Sequence, residues 1–246
     1  MMKKILGIIP ARYASTRFPV KALAEIGGKT IVQRVFEQAS KATSLHKVVV
    51  ATDHAEIYNR VISFGGNVAM TSENHTSGTD RCNEVLSFEK EDFDYVINIQ
   101  GDEPFIDPHQ INALATCLDG QTEIATLIKN ITDSDTLFNP NVVKTIVNTN
   151  SEAIYFSRTV LPYLGNVERE NWLSHFIYFK HIGIYAYRAD ILRKITKLSV
   201  SKLEQAESLE QLRWIENGYK IKTVETEFES IGIDTPEDLE EAKKLL

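Results

Sequence analysis

The sequence of 246 residues predicts an α/β fold with a mostly parallel sheet flanked by helices in three layers, and a smaller antiparallel insertion. Three observations carry this expectation. Short β-rich apolar runs alternate with longer stretches of helical period through residue 105. Between 141 and 188 strand-like runs follow one another without intervening helical pattern. No repeat, low-complexity tract or linker interrupts the chain, so 1–246 reads as a single domain.

In chain order, Ile5 to Ile9 forms the first strand-like run, and "KTIVQRVFEQASKA" follows with Ile31, Val35 and Ala39 at helical spacing. "KVVVATD" is the next strand, "AEIYNRVISFGG" a helix stopped by Gly65 and Gly66, "NVAMTS" a strand, "TDRCNEVLSF" a helix and "DYVINIQGDEP" a strand. A helix after Pro108 leads to the strand "EIATLIKNI". The runs "VVKTIVNT", "AIYFSR" and "HIGIYAYR" make up the β-rich insertion at 141–188, separated by "NPN" and "PYLGNVEREN". The end reads as one helix over "LEQAESLEQLRWIENG", a strand "YKIKTVET" and a last helix in which Thr235 is the N-cap and Pro236 the first helical residue.

Lys plus Arg total 27 against 34 Asp plus Glu, a formal charge of −7, so nothing favours nucleic acid as a partner. Cys82 and Cys117 are too few for a zinc framework and suit a reducing compartment. The start "MMKKILGIIPAR" is cut by Pro10 and Arg12 short of a secretory segment, and no apolar run approaches the roughly 20 residues that span a bilayer. No membrane is expected as a partner, and cytoplasmic residence is the expectation.

Against that acidic background the loop "ARYASTRFPVK" collects cations at the C-terminal end of the first strand, where open α/β sheets bind ligands. Arg12, Ser15, Arg17 and Lys21, with backbone N–H groups, suit a triphosphate; the alternative is a solvated basic loop. "GGKT" at 27–30 only imitates a Walker A loop, because Leu23 stands where its first glycine would be, and it reads as a helix start. Asp102 in "NIQGDEPF" lies just beyond a strand, with Gly101 permitting a close backbone approach, and Asp234 in "GIDTPED" lies at a strand-to-helix junction. Each is either a turn or cap residue or a ligand for Mg²⁺, which takes one or two carboxylates plus phosphate oxygens. "TSENHTSGTDR", with Ser77, Gly78 and Arg81, suits either backbone reading of a base or a plain helix start. His181 heading an apolar strand reads as a structural histidine before a catalytic one, and Arg158 is either a partner for a carboxylate substrate or a surface residue.

In order and spacing, "IIPARYASTRFP.K.LA.I.GK", "VATD", "FGG.V.MTS..H.SGTDR", "IQGDEPFI", "NPN.VK", "YFSR..LPY", "KHIGIYAYR", "LE.AESLEQLR.IENG" and "GIDTPEDLE" resemble, nearly end to end, the 3-deoxy-manno-octulosonate cytidylyltransferases, or CMP-Kdo synthetases. The resemblance implies a Rossmann-like nucleotidyltransferase fold, a homodimer joined largely through 141–188, and magnesium-dependent transfer of CMP from CTP to the anomeric hydroxyl of Kdo. Diphosphate is released, and the product serves lipopolysaccharide synthesis. It further implies that Arg12, Ser15, Arg17 and Lys21 bind the phosphates, Pro10 and Ala11 lie against the nucleotide, and Ser77, Gly78 and Arg81 take the cytosine side. Asp102 and Asp234 would be metal ligands, and Gln100, Arg158, His181, Tyr187, Glu210 and Gln211 would line the Kdo pocket. The chain departs from the family at Val20 and Ala22, where Gly and Pro are usual, and valine is expected not to take the positive φ open to glycine. Cytidylyltransferases for sialic acid or 8-amino-Kdo are the neighbouring readings, and a silent nucleotide-binding scaffold is the reading from another class.

Overall fold

The computed structural model describes residues 3–14, 18–229 and 231–245. Strand β1 (Ile5–Ala11) alternates its side chains as a two-faced strand must. Ile5, Ile9 and Ala11 enter the core on one side of the sheet, and Leu6 and Ile8 enter the core on the other. A hairpin of β2 (Glu25–Ile26) and β3 (Lys29–Thr30) turns through Gly27 and Gly28, whose φ values of 54° and 75° suit a type I′ turn. The "GGKT" stretch is therefore a hairpin tip, and helix α1 (Ile31–Ala39) begins directly after it.

β4 (Lys47–Thr52), α2 (Ala55–Ser63), β5 (Val68–Met70), α3 (Gly78–Phe88) and β6 (Tyr95–Asn98) continue the alternation, with β4 and β6 parallel to β1 on either side and β5 parallel to β4. α4 (Pro108–Ala115) opens with a capping box between Asp107 and Gln110, and β7 (Ile124–Asn130) and the short α5 (Ser134–Phe138) follow. β8 (Lys144–Val147) and β9 (Ala153–Ser157) are antiparallel, and α6 (Trp172–His175) interrupts the stretch that leads to β10 (Phe179–Arg188). β10 pairs with β8 at its start, then runs into the main sheet between β6 and β7, antiparallel to both. The sheet order is β11-β7-β10-β6-β1-β4-β5, with β8 and β9 attached through β10, so the 141–188 segment is continuous with the main sheet.

Helix α7 (Ala189–Ile195) is followed by two short helices where the sequence pattern predicts one, α8 (Lys202–Glu207) and α9 (Gln211–Glu216). Ser208 takes φ 55° and closes α8 on the carbonyl of Glu204, which lets Leu209, Leu212 and Trp214 all turn into the core. Glu204 and Arg213 brace the two helices at 2.6 Å. β11 (Ile221–Glu225), parallel to β7, precedes α10 (Pro236–Lys243), capped by Thr235 with Asp238 as its capping-box partner. Helices α1 and α4 supply Ile31, Val35 and Ile111 to one core layer, while α3, α7 and α9 supply Val85, Leu192 and Trp214 to the other. Among the described residues no helix is long and apolar enough to cross a membrane.

Candidate active site

A cavity of about 320 Å³ opens at the C-terminal ends of β1 and β6, the edge at which parallel strands present their loops to ligands. Pro10, Ala11, Arg12, Lys21, Ser77, Gly78, Arg81, Gln100, Asp102 and Asp234 all line it. Ten positions singled out from four separate motifs are thus brought together. Ser15 and Arg17 lie outside the described residues. A Cβ on Gly101 would stand 2.3 Å from the carbonyl oxygen of Pro10, so only glycine lets the two strand ends run this close. The backbone N–H of Ile233 donates to the carbonyl of Asp102 at 2.9 Å, which docks the segment before α10 beside the end of β6 and places the two aspartates together.

Lys21 Nζ donates to Asp102 Oδ2 at 2.7 Å and to Asp234 Oδ1 at 3.1 Å, so both carboxylates face one point. Val20 positions that lysine, contrary to what its side chain predicts. It sits in the left-handed region at φ 59°, ψ 24°, immediately before a 3-10 turn at Lys21–Leu23. Two bonds hold it there: its N–H reaches the carbonyl of Tyr13 at 3.3 Å, and its carbonyl accepts from Leu23 at 2.9 Å. A β-branched residue in this region is strained, and the surrounding loop must supply the compensation. Among the described residues no group of three or more His, Cys, Asp or Glu side chains is placed to hold a metal. Two convergent carboxylates, completed by phosphate oxygens and water, nevertheless fit Mg²⁺, and hard oxygen donors suit that ion.

The opposite wall is the N-terminus of α3. Ser77 caps the helix by accepting from Asp80 N–H at 3.1 Å, and Gly78 packs against the Pro10 ring, where an added Cβ would lie 3.3 Å from Cγ. The helix therefore presents backbone donors and the positive end of its dipole to the cavity. Arg81 borders the cavity but is 3% exposed, and its guanidinium is engaged by Asp53 Oδ2 at 2.5 Å, Thr71 Oγ1 at 2.8 Å and the Ser72 carbonyl at 3.1 Å. Sequence reasoning did not single out Asp53, although the acidic end of "VATD" at a strand terminus was a signal for it. His75 also borders the cavity, with Nε2 at 2.6 Å from Glu84 Oε2, and it too was not anticipated.

The residues expected around a sugar divide. Gln100 is in the cavity and donates from Nε2 to the Gly183 carbonyl at 2.6 Å. Gly183 and His181 line a second, smaller cavity of about 240 Å³ with Glu103, Lys180 and Glu229, so the Gln100 bond joins the borders of the two. The His181 ring lies edge-on to Phe156 with Nε2 at 3.0 Å from Thr126 Oγ1, and burial lowers its pKa to about 3. Arg158 lines neither cavity; it holds the Glu207 and Pro140 carbonyls at 2.9 and 3.3 Å. Tyr187 is fully buried, edge-on to Trp214, and Gln211 is 5% exposed at the start of α9. Glu210 accepts from Thr79 Oγ1 at 3.0 Å, and burial raises its pKa. Tyr187 and Glu210 thus back the α3 wall through Thr79.

A sequence profile of the family described as Cytidylyltransferase matches residues 6–223. The chain is 55% identical to a 3-deoxy-manno-octulosonate cytidylyltransferase of Parabacteroides distasonis over 250 residues, covering 100% of this chain and 99% of that one. It is also 55% identical to the enzyme of that name from Bacteroides thetaiotaomicron, covering 99% and 98% of the two chains. A solved structure described as CMP:2-keto-3-deoxy-manno-octonic acid synthetase complexed with CTP superposes with a TM-score of 0.90 at 42% identity over 98% of each chain. A 4-diphosphocytidyl-2C-methyl-D-erythritol synthase from Anaerococcus prevotii shares the fold alone, with a TM-score of 0.65 at 14% identity. With the strand-end cavity, its paired aspartates and these relatives together, the chain belongs to the 3-deoxy-manno-octulosonate cytidylyltransferases within the cytidylyltransferase family.

Proposed function

We propose that this chain transfers CMP from CTP to the anomeric hydroxyl of 3-deoxy-manno-octulosonate, releasing diphosphate and giving the activated sugar used in lipopolysaccharide synthesis. The observation that carries this reading is the convergence of Lys21, Arg12, two carboxylates and a helix N-terminus on one strand-end cavity, in a chain 55% identical to enzymes of that name. Phosphoryl-type transfer asks little covalent work of a protein, and this site accordingly offers charge and position rather than an acid-base pair.

In this reading Arg12 and Lys21 take the phosphates, Ser77, Gly78 and the start of α3 face the cytidine side, and Asp102 with Asp234 hold Mg²⁺. The ion supplies charge stabilisation at the reacting phosphate and a lowered pKa for the attacking hydroxyl. Lys21 is positioned to balance the two carboxylates and to turn toward phosphate oxygens that enter between them. Kdo would enter from the side of Gln100 and His181, whose neutral imidazole offers a hydrogen bond without a charge. Tyr187 and Glu210 reach Thr79 and would support the α3 wall from behind, while Arg158 would act on the sugar side only through the segments at Pro140 and Glu207 that it holds.

A homodimer is part of the proposal. Ile154, Tyr163 and Ile177 are 52%, 77% and 62% exposed, all within 141–188, and such apolar exposure suits a second copy of the chain. Residence in the cytoplasm is part of the same proposal, supported by the small number of cysteines. The deciding assay measures diphosphate release with CTP, UTP or ATP against Kdo or sialic acid, with and without Mg²⁺. CTP with Kdo should dominate and require the metal; turnover with sialic acid and none with Kdo would overturn the assignment.

A further inference from the structure

We propose that Asp53 is a positioning residue that sets the two walls of the nucleotide cavity in register, and that Arg81 acts through it. Its two carboxylate oxygens do different work. Oδ1 accepts the backbone N–H of Tyr13 at 2.9 Å, directly after Arg12 in the cationic loop. Oδ2 accepts from Arg81 at 2.5 Å, and Arg81 in turn fixes Thr71 and the Ser72 carbonyl on the side of the cavity that leads into α3. Tyr13 is the closing point of the cationic loop: its ring stacks on His54 at 3.6 Å between centroids, and its carbonyl receives Val20 N–H from the far end of the loop. One carboxylate at the end of β4 therefore seats the phosphate wall and the base wall at once. The Asp53 and Arg81 side chains are 11% and 4% exposed, so water cannot replace either contact without opening the site.

The inference concerns the registration of the walls and rests on the proposed function only for the nature of the nucleotide. In Asp53→Asn one oxygen becomes an NH₂ group that must face either Tyr13 N–H or Arg81, both of them donors, so one contact is lost. In Arg81→Lys the charge stays and the fork to Asp53, Thr71 and Ser72 does not. The test is amide hydrogen exchange of the nucleotide-free protein, read separately for peptides covering 10–22 and 68–82, together with KM for CTP and kcat. Arg81→Lys makes no contact with the cationic loop, yet exchange there should quicken about tenfold, the size of one charged hydrogen bond. Asp53→Asn should quicken both segments, raise KM for CTP about tenfold and change kcat by less than about threefold. If Arg81→Lys leaves exchange in 10–22 unchanged, or if folded Asp53→Asn keeps both walls and KM within about twofold of wild type, the coupling is refuted. A wild-type protein that turned over no CTP would refute the proposed function and leave the exchange result to decide this inference.

Discussion

Val20 offers the sharpest check on the geometry of the cationic loop. At φ 59° a non-glycine L-residue carries about 1–2 kcal/mol of strain, which glycine does not. Replacing Val20 by Ala and by Gly removes the same two γ-methyls of a half-buried side chain, so that loss of packing cancels when the two variants are compared and only the alanine Cβ distinguishes them. Alanine keeps most of the strain, while glycine relieves it but adds about 0.4–1 kcal/mol of unfolded-chain freedom. The difference leaves Val20→Gly more stable than Val20→Ala by about 0.5–1 kcal/mol, or about 1–4 °C in Tm for a chain of this size. At an ordinary negative φ the order inverts, because alanine then leads by about 0.4–1 kcal/mol. Urea midpoints and calorimetric Tm values for the two variants, measured at one pH, decide the matter. If Ala proves as stable as Gly or more so, the left-handed turn that aims Lys21 at the aspartates is wrong.

Asp102→Asn should fold normally, since its main-chain carbonyl still receives Ile233 N–H, yet lose turnover by about 100-fold or more; diphosphate release near the normal rate would remove Asp102 from the metal site. Gly101→Ala drives a Cβ to 2.3 Å from a backbone oxygen, so strand separation should lower stability by about 1–3 kcal/mol, visible in the urea midpoint, and an unchanged midpoint would contradict the close approach of β1 and β6. His181 has a folded pKa of about 3 against 6.5 for the free side chain, so the unfolded chain binds the extra proton between those values and stability falls as the pH drops through that window. By pH 5 the loss from this one group is about 2 kcal/mol, and His181→Asn should show a correspondingly flatter decline in urea midpoint from pH 7 to pH 5; an identical decline would show that the imidazole is not desolvated.

The sequence by itself determined the alternation of strands and helices, because apolar periodicity and caps such as Thr235-Pro236 are local properties that each segment carries with it. It also marked the cavity: Arg12 and Lys21 in an acidic chain and Asp102 just past a strand end declare themselves without a structure, whereas Asp234, expected at a strand-to-helix junction, lies in coil before α10, well after β11 has ended at Glu225. Local pattern was less informative where the decisive partner lay far along the chain. The helix predicted across 203–218 breaks at Ser208, since Leu209 and Trp214 are turned inward by a core that α3 and β10 build. Tyr187, expected beside a sugar, is enclosed by Trp214 and Thr79. Only the tertiary structure decided that Lys21 spans Asp102 and Asp234, that Val20 takes a conformation its side chain disfavours, and that Asp53 faces both Tyr13 and Arg81. The physical reason is common to all three. The Lys21 and Asp53 contacts join groups separated by tens to hundreds of residues. Val20, though bonded to its near neighbours Tyr13 and Leu23, sits between Tyr13, which Asp53 holds, and Lys21, which the two aspartates hold. In every case the geometry comes from the assembled loop and strand ends rather than from the preference of any residue taken alone.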